Sequence, residues 1–147
     1  DCAPRAIGTK RLMQKNSPLH VLVIPTWYPN GEDKLIGVYH KLFSTALAEY
    51  GVKTNMLYVD RQGLSSLPKY PTMQKLYEES NTGYVTYCRR MLDISKFSTD
   101  AQLSAYCRTV EKLYKAYVEQ HGKPDILHAH VTVPAGYAAA KKAESHR

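Results

Sequence analysis

The sequence predicts an α/β fold, a Rossmann-like parallel sheet layered between helices in three α/β/α layers. Three observations carry this expectation. Residues 20–25 (His-Val-Leu-Val-Ile-Pro) form an almost wholly apolar, β-branched run, the pattern of a strand buried on both faces. After a turn-rich loop the apolar residues recur at three- and four-residue steps, the helical period. Strand-like and helix-like segments then alternate to the end of the chain in the order β-α-β-loop-β-α-β-α. That order is the first half of a doubly wound sheet.

The elements follow in order. Residues 26–36 read as a loop, with Trp27-Tyr28-Pro29-Asn30-Gly31 supplying turn chemistry. Val38, Leu42, Phe43, Ala46, Leu47 and Tyr50 predict an amphipathic helix over residues 37–50, stopped by Gly51 in the C′ position. Residues 53–60 read as the next strand, completing a βαβ unit and so a parallel pair. Residues 61–71 read as a loop, and 72–79 as one or two helical turns. Residues 84–88 (Tyr-Val-Thr-Tyr-Cys) are the third strand. Thr99 and Gln102 have the spacing of a capping box. The helix they open carries the stripe Leu103, Tyr106, Cys107, Val110, Leu113, Tyr114, Tyr117 and Val118, and Gly122 and Pro124 end it. Residues 126–130 (Ile-Leu-His-Ala-His) make the fourth strand. Pro134 suits the first turn of a last helix through Ala138-Ala139-Ala140.

Composition narrows the class without naming a function. Of 147 residues 44% are hydrophobic, enough for a core and too many for a disordered chain. Twenty Lys and Arg against thirteen Asp and Glu give a net charge of +7. Such a balance attracts anions, whether phosphates, nucleic acid or an acidic membrane surface, and equally serves solubility. No run of Lys and Arg is interleaved with aromatics and no nucleic-acid motif is present, so nucleic acid is not expected as a partner. Cys2, Cys88 and Cys107 form no Cys-x-x-Cys pair. Cys88 and Cys107 fall on apolar stripes as small core residues, which fits a reducing, cytoplasmic compartment. No apolar run approaches the roughly 18 residues of a membrane span. Residues 1–18 lack the apolar stretch of a signal peptide and contain Arg5, Lys10, Arg11 and Lys15. They are expected to be a flexible basic extension in front of a domain over residues 19–147.

In open α/β sheets ligands bind beyond the C-terminal ends of the strands, at the point where strand order reverses. With a strand order 3-2-1-4, two loops meet there: residues 26–37 after the first strand and 130–134 after the fourth. The residues on these loops carry a resemblance. Thr26-Trp27-Tyr28-Pro29, then Gly37-Val38-Tyr39 opening a helix, then Ala48-Glu49-Tyr50-Gly51-Val52, resemble the opening of GT-B-fold retaining glycosyltransferases of the glycogen-synthase-like family. Pro124-Asp125-Ile126-Leu127-His128-Ala129-His130 followed by Pro134-Ala135-Gly136 resembles that family's fourth strand and next helix. The likeness spans residues 19–147, in the family's order and spacing.

The resemblance implies an enzyme that transfers a sugar from a nucleotide-sugar to a glycan or lipid-linked acceptor with retention of configuration, with no cofactor. The chain then corresponds to the first part of the N-terminal, acceptor-side domain. The nucleotide-holding C-terminal domain is not contained in it. A half sheet with an open edge and a terminal Arg147 fit the expectation of a truncated product. Many members of the family work at the inner face of a membrane, so a peripheral site on an anionic membrane is expected as well.

By the same resemblance His130 is the active-site histidine. Gly37 is the loop glycine whose missing Cβ lets backbone N–H groups approach a diphosphate. The family often has two adjacent glycines there, whereas here Ile36 precedes Gly37, and an ordinary helix-entry glycine is the competing reading. Side chains alternate along a strand, so His128 and His130 share a face. His128, one pleat deeper, is expected to be a core histidine. Trp27 and Tyr28 can stack on a sugar ring or simply cover a loop. His40 and Lys41 lie in the first turn of the first helix, where Lys41 meets an anion or solvent. Asp125 sits at the opposite end of its strand.

Two rival readings stay open. His128 and His130 also resemble the paired metal ligands of amidohydrolases, but catalytic zinc generally takes three protein ligands and no carboxylate adjoins the pair, so no metal is expected. A non-catalytic, flavodoxin-like binding module is the other, and it lacks the acidic cluster after the first strand.

Overall fold

The computed structural model describes residues 17–29, 35–69 and 76–144. The basic extension to residue 16, Cys2 and the turn residues Asn30 and Gly31 lie outside the described residues. The elements are β1 (His20–Ile24), α1 (Val38–Glu49), β2 (Lys53–Gln62), a short 3-10 turn (Leu64–Ser66), β3 (Leu76–Asn81), β4 (Tyr84–Leu92), α2 (Thr99–His121), β5 (Ile126–Ala129) and α3 (Tyr137–Glu144). They build one five-stranded sheet of order β3-β4-β2-β1-β5. β4, β2, β1 and β5 run parallel, and β3 is antiparallel at the edge beside β4. The fold is the expected three-layer Rossmann-like α/β/α arrangement.

β1 is central because its residues can be buried on both sides. All five are buried. Leu22 and Ile24 face a core shared with Leu57 and Val59 of β2, Tyr106, Val110, Leu113 and Tyr117 of α2, and Ala138 and Ala139 of α3. Val21 and Val23 face the other way, onto a smaller core with Met56, Tyr84, Tyr28 and the partly buried Phe43 and Leu47 of α1. Each such aliphatic side chain contributes about 1.5–3 kcal/mol by leaving water. The register sets Leu22 beside Asn55 of β2 and Leu127 of β5. That register aligns the C-terminal ends of β1 and β5, where the site forms.

Several elements depart from the expectation. Residues 76–79 are not helical but belong to β3, which pairs with β4 through the two-residue turn Thr82-Gly83. Residues 72–75 of that predicted helix lie outside the described residues. The local sequence is short and polar, and hairpin pairing decides its state. β2 and β4 run on to Gln62 and Leu92, because Met56–Gln62 pairs residue for residue with Thr86–Leu92 and Arg90 meets Asp60 at 3.2 Å across the ladder.

α2 begins one residue earlier than the capping box suggested. Ser98 is the N-cap and its Oγ accepts from Ala101 N at 3.2 Å, while Gln102 Oε1 accepts from Ile94 N at 2.8 Å. Pro134 does not sit in the first turn of a regular helix. Residues 132–136 make a wide turn closed by Gly136 N donating to Val131 O at 3.0 Å, and the regular helix starts at Tyr137.

α1 shows the largest correction. Its predicted stripe is only partly turned inward: Phe43 and Leu47 pack on the sheet, whereas Leu42 is 65% exposed and Tyr50 88%. The face that packs on the sheet is His40, Phe43, Ser44 and Leu47, with His40 and Ser44 fully buried. Both stripes have helical spacing, and contact with β5 and with the loop after β1 selects the second. Cys88 is buried as expected, whereas Cys107 is only partly so.

Candidate functional site

The ends of β1 and β5 are tied together by the backbone. His130 N donates to Ile24 O at 3.1 Å, and the Thr26 hydroxyl donates to His130 O at 3.1 Å. His130 therefore stands immediately beyond β5 in a fixed position. Val131 follows with φ 74°, a value strained for a β-branched residue. That bend turns the chain sharply away from the strand direction and leaves His130 at the rim.

The loop after β1 reaches the same rim through Gly37. Gly37 has φ 71°, and a Cβ placed on it would lie 2.6 Å from Trp27 O. The close approach is thus to the protein's own backbone, which welds the start of α1 onto the β1 loop. Residue type and conformation agree: only glycine takes this φ without cost and leaves this space.

Welding α1 here brings its first turn against β5. The ring centroids of His40 and His130 are 4.2 Å apart, edge to face, and those of His128 and His130 are 4.5 Å apart. Tyr39 and Phe43 each stand 5.7 Å from His130, and Phe43 lies 5.0 Å from His128. His128 and His130 do share one face of the strand. Three imidazoles and two larger rings so form one cluster at the C-terminal edge of the sheet.

Burial dominates the electrostatics of two of its rings. Burial, with His130 and His128 adding to it, lowers the pKa of His40 to about 4. Burial, then His128, also lowers that of His130. Both nitrogens of His40 and Nε2 of His130 are buried without a hydrogen-bond partner. Among the described residues no group of three or more His, Cys, Asp or Glu is arranged to hold a metal ion. The cluster can offer a neutral imidazole edge to a ligand hydroxyl or phosphate oxygen.

The other sequence-selected residues divide. Trp27 is 45% exposed and available for stacking. Tyr28 is buried, its hydroxyl donating to Glu79 Oε1 at 3.0 Å and meeting Thr86 Oγ1 at 3.1 Å. Lys41 pairs with the same Glu79 oxygen at 2.6 Å and lies over the Tyr28 ring at 4.7 Å. Tyr28 and Lys41 are therefore joined to β3 in a knot beneath the loop, away from the stacking role and the open anion. Asp125 closes the opposite end of the sheet, accepting from His20 N at 2.9 Å and donating its own amide to His20 O at 2.8 Å. Sequence reasoning passed over His40. The signal was present in the 40, 43, 44, 47 spacing, a second helical stripe with a histidine at its head.

Comparison of this chain with protein-family models, with curated proteins and with solved structures found no match.

Proposed function

We propose that this chain is the first part of the acceptor-side domain of a retaining glycosyltransferase, which moves a sugar from a nucleotide-sugar to a glycan or lipid-linked acceptor, with His130 at the reaction centre. The observation that supports this reading is the meeting of His130 and the Gly37-bound start of α1 at the C-terminal ends of adjacent strands β1 and β5. This is where sheets of this kind take their ligands. An uncharged imidazole there accepts or donates a hydrogen bond to a sugar hydroxyl, and Trp27, 45% exposed on the loop after β1, offers a ring face for stacking. In the same reading the nucleotide is held mainly by a second domain that these 147 residues do not contain.

The surroundings favour an apolar acceptor carrier. Leu35 and Ile36 before α1, Leu42 on it, and Val133 and Tyr137 after β5 are exposed. Together with the net charge of +7 they fit a lipid-linked acceptor presented at an anionic membrane. No helix among the described residues is long and apolar enough to cross a membrane. Flotation of this chain with anionic vesicles is expected to exceed that with neutral vesicles and to weaken with salt. Equal flotation with both kinds would remove the anionic surface from the proposal, and flotation with neither would remove the membrane.

The deciding experiment is a sugar-transfer assay of the protein that carries this chain, over a panel of nucleotide-sugars. His130→Ala is expected to lower kcat by about 100-fold or more, the usual size of a lost acid–base or positioning group, with little change in melting temperature. His128→Ala, which removes a ring packed on Phe43, is expected to lower stability and spare turnover. Wild-type turnover in His130→Ala rejects the assignment. Stoichiometric zinc in the purified protein, lost in that variant, would instead support the hydrolase reading.

A further inference from the structure

Basic side chains gather along the side of α2 that is turned away from the sheet. Two grooves flank this helix and share Arg108. One, between α2 and α3, has Arg108, Lys141 and Lys142 over Cys107, Val110 and Ala138. The other, between α2 and the end of β4, has Arg89, Arg108 and Lys112 over Met91, Leu92 and Ile94. Arg108, Lys112 and Lys115 are exposed at helical spacing and form one stripe. Burial raises the pKa of the Cys107 thiol, and Lys141 and Arg108 act against it, so both cations stand close to that sulfur. The carboxylate inside the grooves is Glu111, and two lysines take it, Lys115 at 3.2 Å and Lys142 at 3.8 Å. Asp100 and Glu119 lie toward the ends of α2 and Glu144 ends α3, outside both grooves. Among the described residues Arg108, Lys112 and Lys141 have no ion-pair partner. Like charges held side by side repel one another, and a surface carrying many negative charges relieves that repulsion.

We propose that this α2–α3 face docks on the anionic headgroup surface of a lipid bilayer, with Arg108, Lys112 and Lys141 meeting lipid phosphates. The choice of partner rests on the membrane part of the reading above, while the concentration of charge stands without it. The cations are spread along a helix flank instead of closing on one pocket, which suits a field of many phosphates better than a single anion. No aromatic residue among the described ones lines either groove, so the bases of a nucleic-acid strand have nothing there to stack on. Tyr137, 47% exposed, stands one turn before Lys141 on α3. An amphipathic ring next to a lysine is the pairing that a headgroup layer accommodates.

The test is flotation of this chain with vesicles of phosphatidylcholine alone and of phosphatidylcholine mixed with phosphatidylglycerol. Each Lys or Arg near an anionic surface strengthens binding about 5-fold. The triple variant Arg108→Gln/Lys112→Gln/Lys141→Gln is therefore expected to bind the anionic vesicles about 100-fold more weakly, with its melting temperature unchanged because these side chains are exposed. Arg108→Lys, which keeps the charge, is expected to bind as the wild type does. Arg5→Gln/Lys10→Gln/Arg11→Gln removes the same charge from outside the face and is expected to bind nearly as the wild type does. Equal losses in the two triple variants overturn the proposal, since net charge alone then carries binding. A wild-type chain that floats with neither kind of vesicle overturns it too. So does a chain that binds a single-stranded RNA through the same three residues and no vesicle, which assigns the face to nucleic acid. Sugar transfer to a water-soluble acceptor keeps this proposal apart from the enzyme reading. The face variant is expected to retain transfer, while His130→Ala loses it and still floats. Flotation intact in a wild-type protein that transfers no sugar leaves the face standing and rejects the enzyme.

Discussion

Gly37 does two jobs with one missing Cβ. It adopts φ 71°, and it lets Trp27 O approach to where a side chain would be. Gly51 at the far end of α1 does only the first, since nothing lies within 4 Å of its Cβ position and its φ is 78°. The comparison separates conformational strain from collision. Gly51→Ala is expected to cost about 1 kcal/mol, the left-handed penalty alone. Gly37→Ala adds an overpacking cost of about 1–3 kcal/mol, for a total of roughly 2–4 kcal/mol, and displaces the first turn of α1 from His130. Urea unfolding of the two variants measures the difference. Equal losses would mean that the Trp27 backbone yields freely and does not hold the site together.

Among the elements, α2 carries the larger core, and its start is set by a single side chain. Ser98 caps it while Thr99, one residue on, is already helical. Ser98→Ala is expected to cost about 1 kcal/mol, and Thr99→Ala to be nearly neutral, as read by thermal melts. The reverse order would restore the capping box suggested by Thr99 and Gln102. β3 illustrates the opposite case. Its residues Leu76–Asn81 alternate in exposure because one side of an edge strand meets water, and Glu78 and Glu79 sit on it without penalty. Glu79 then becomes the acceptor that gathers Tyr28 and Lys41. An edge strand remote in sequence thus determines what two residues of the β1–α1 region can do.

The whole molecule inherits a pH dependence from its buried histidines. His40, His130 and His20 all have lowered pKa values, with burial the first cause of each. Between the folded value, about 4 for His40, and the unfolded value near 6.5, the unfolded chain binds a proton that the folded one refuses. Stability therefore rises with pH across that window, is complete above about 6.5, and is lost as pH falls toward 4. For His40 the shift corresponds to about 3 kcal/mol. Unfolding by urea at pH 7.5, 6.0 and 4.5, conditions chosen about that window, is expected to show a steady loss, and His40→Phe should flatten it. Asp93 and Glu111 also favour the folded state through lowered pKa values, but theirs is lost at more acid pH. An unchanged slope in His40→Phe would place the acid sensitivity elsewhere.

The sequence by itself determined the layers and their order. The continuous apolar run at residues 20–24 can only be satisfied by helices on both sides, the long stripe of α2 has one sheet-facing side, and alternation along residues 126–130 puts His128 and His130 on one face. All of these follow from backbone periodicity, which is local. The strand order β4-β2-β1-β5 agrees with the order supposed from the doubly wound pattern, not from periodicity. What tertiary structure alone decided is the choice between equivalents. α1 had two stripes of helical spacing, and packing selected the one headed by His40. Residues 76–81 were too short and polar to declare a state until β4 offered its edge. Tyr28 and Lys41 looked available until Glu79 arrived from β3. Periodicity tells which side chains can share a face, but the partner that buries or pairs a face comes from distant sequence, and free energy is settled only when both are in contact.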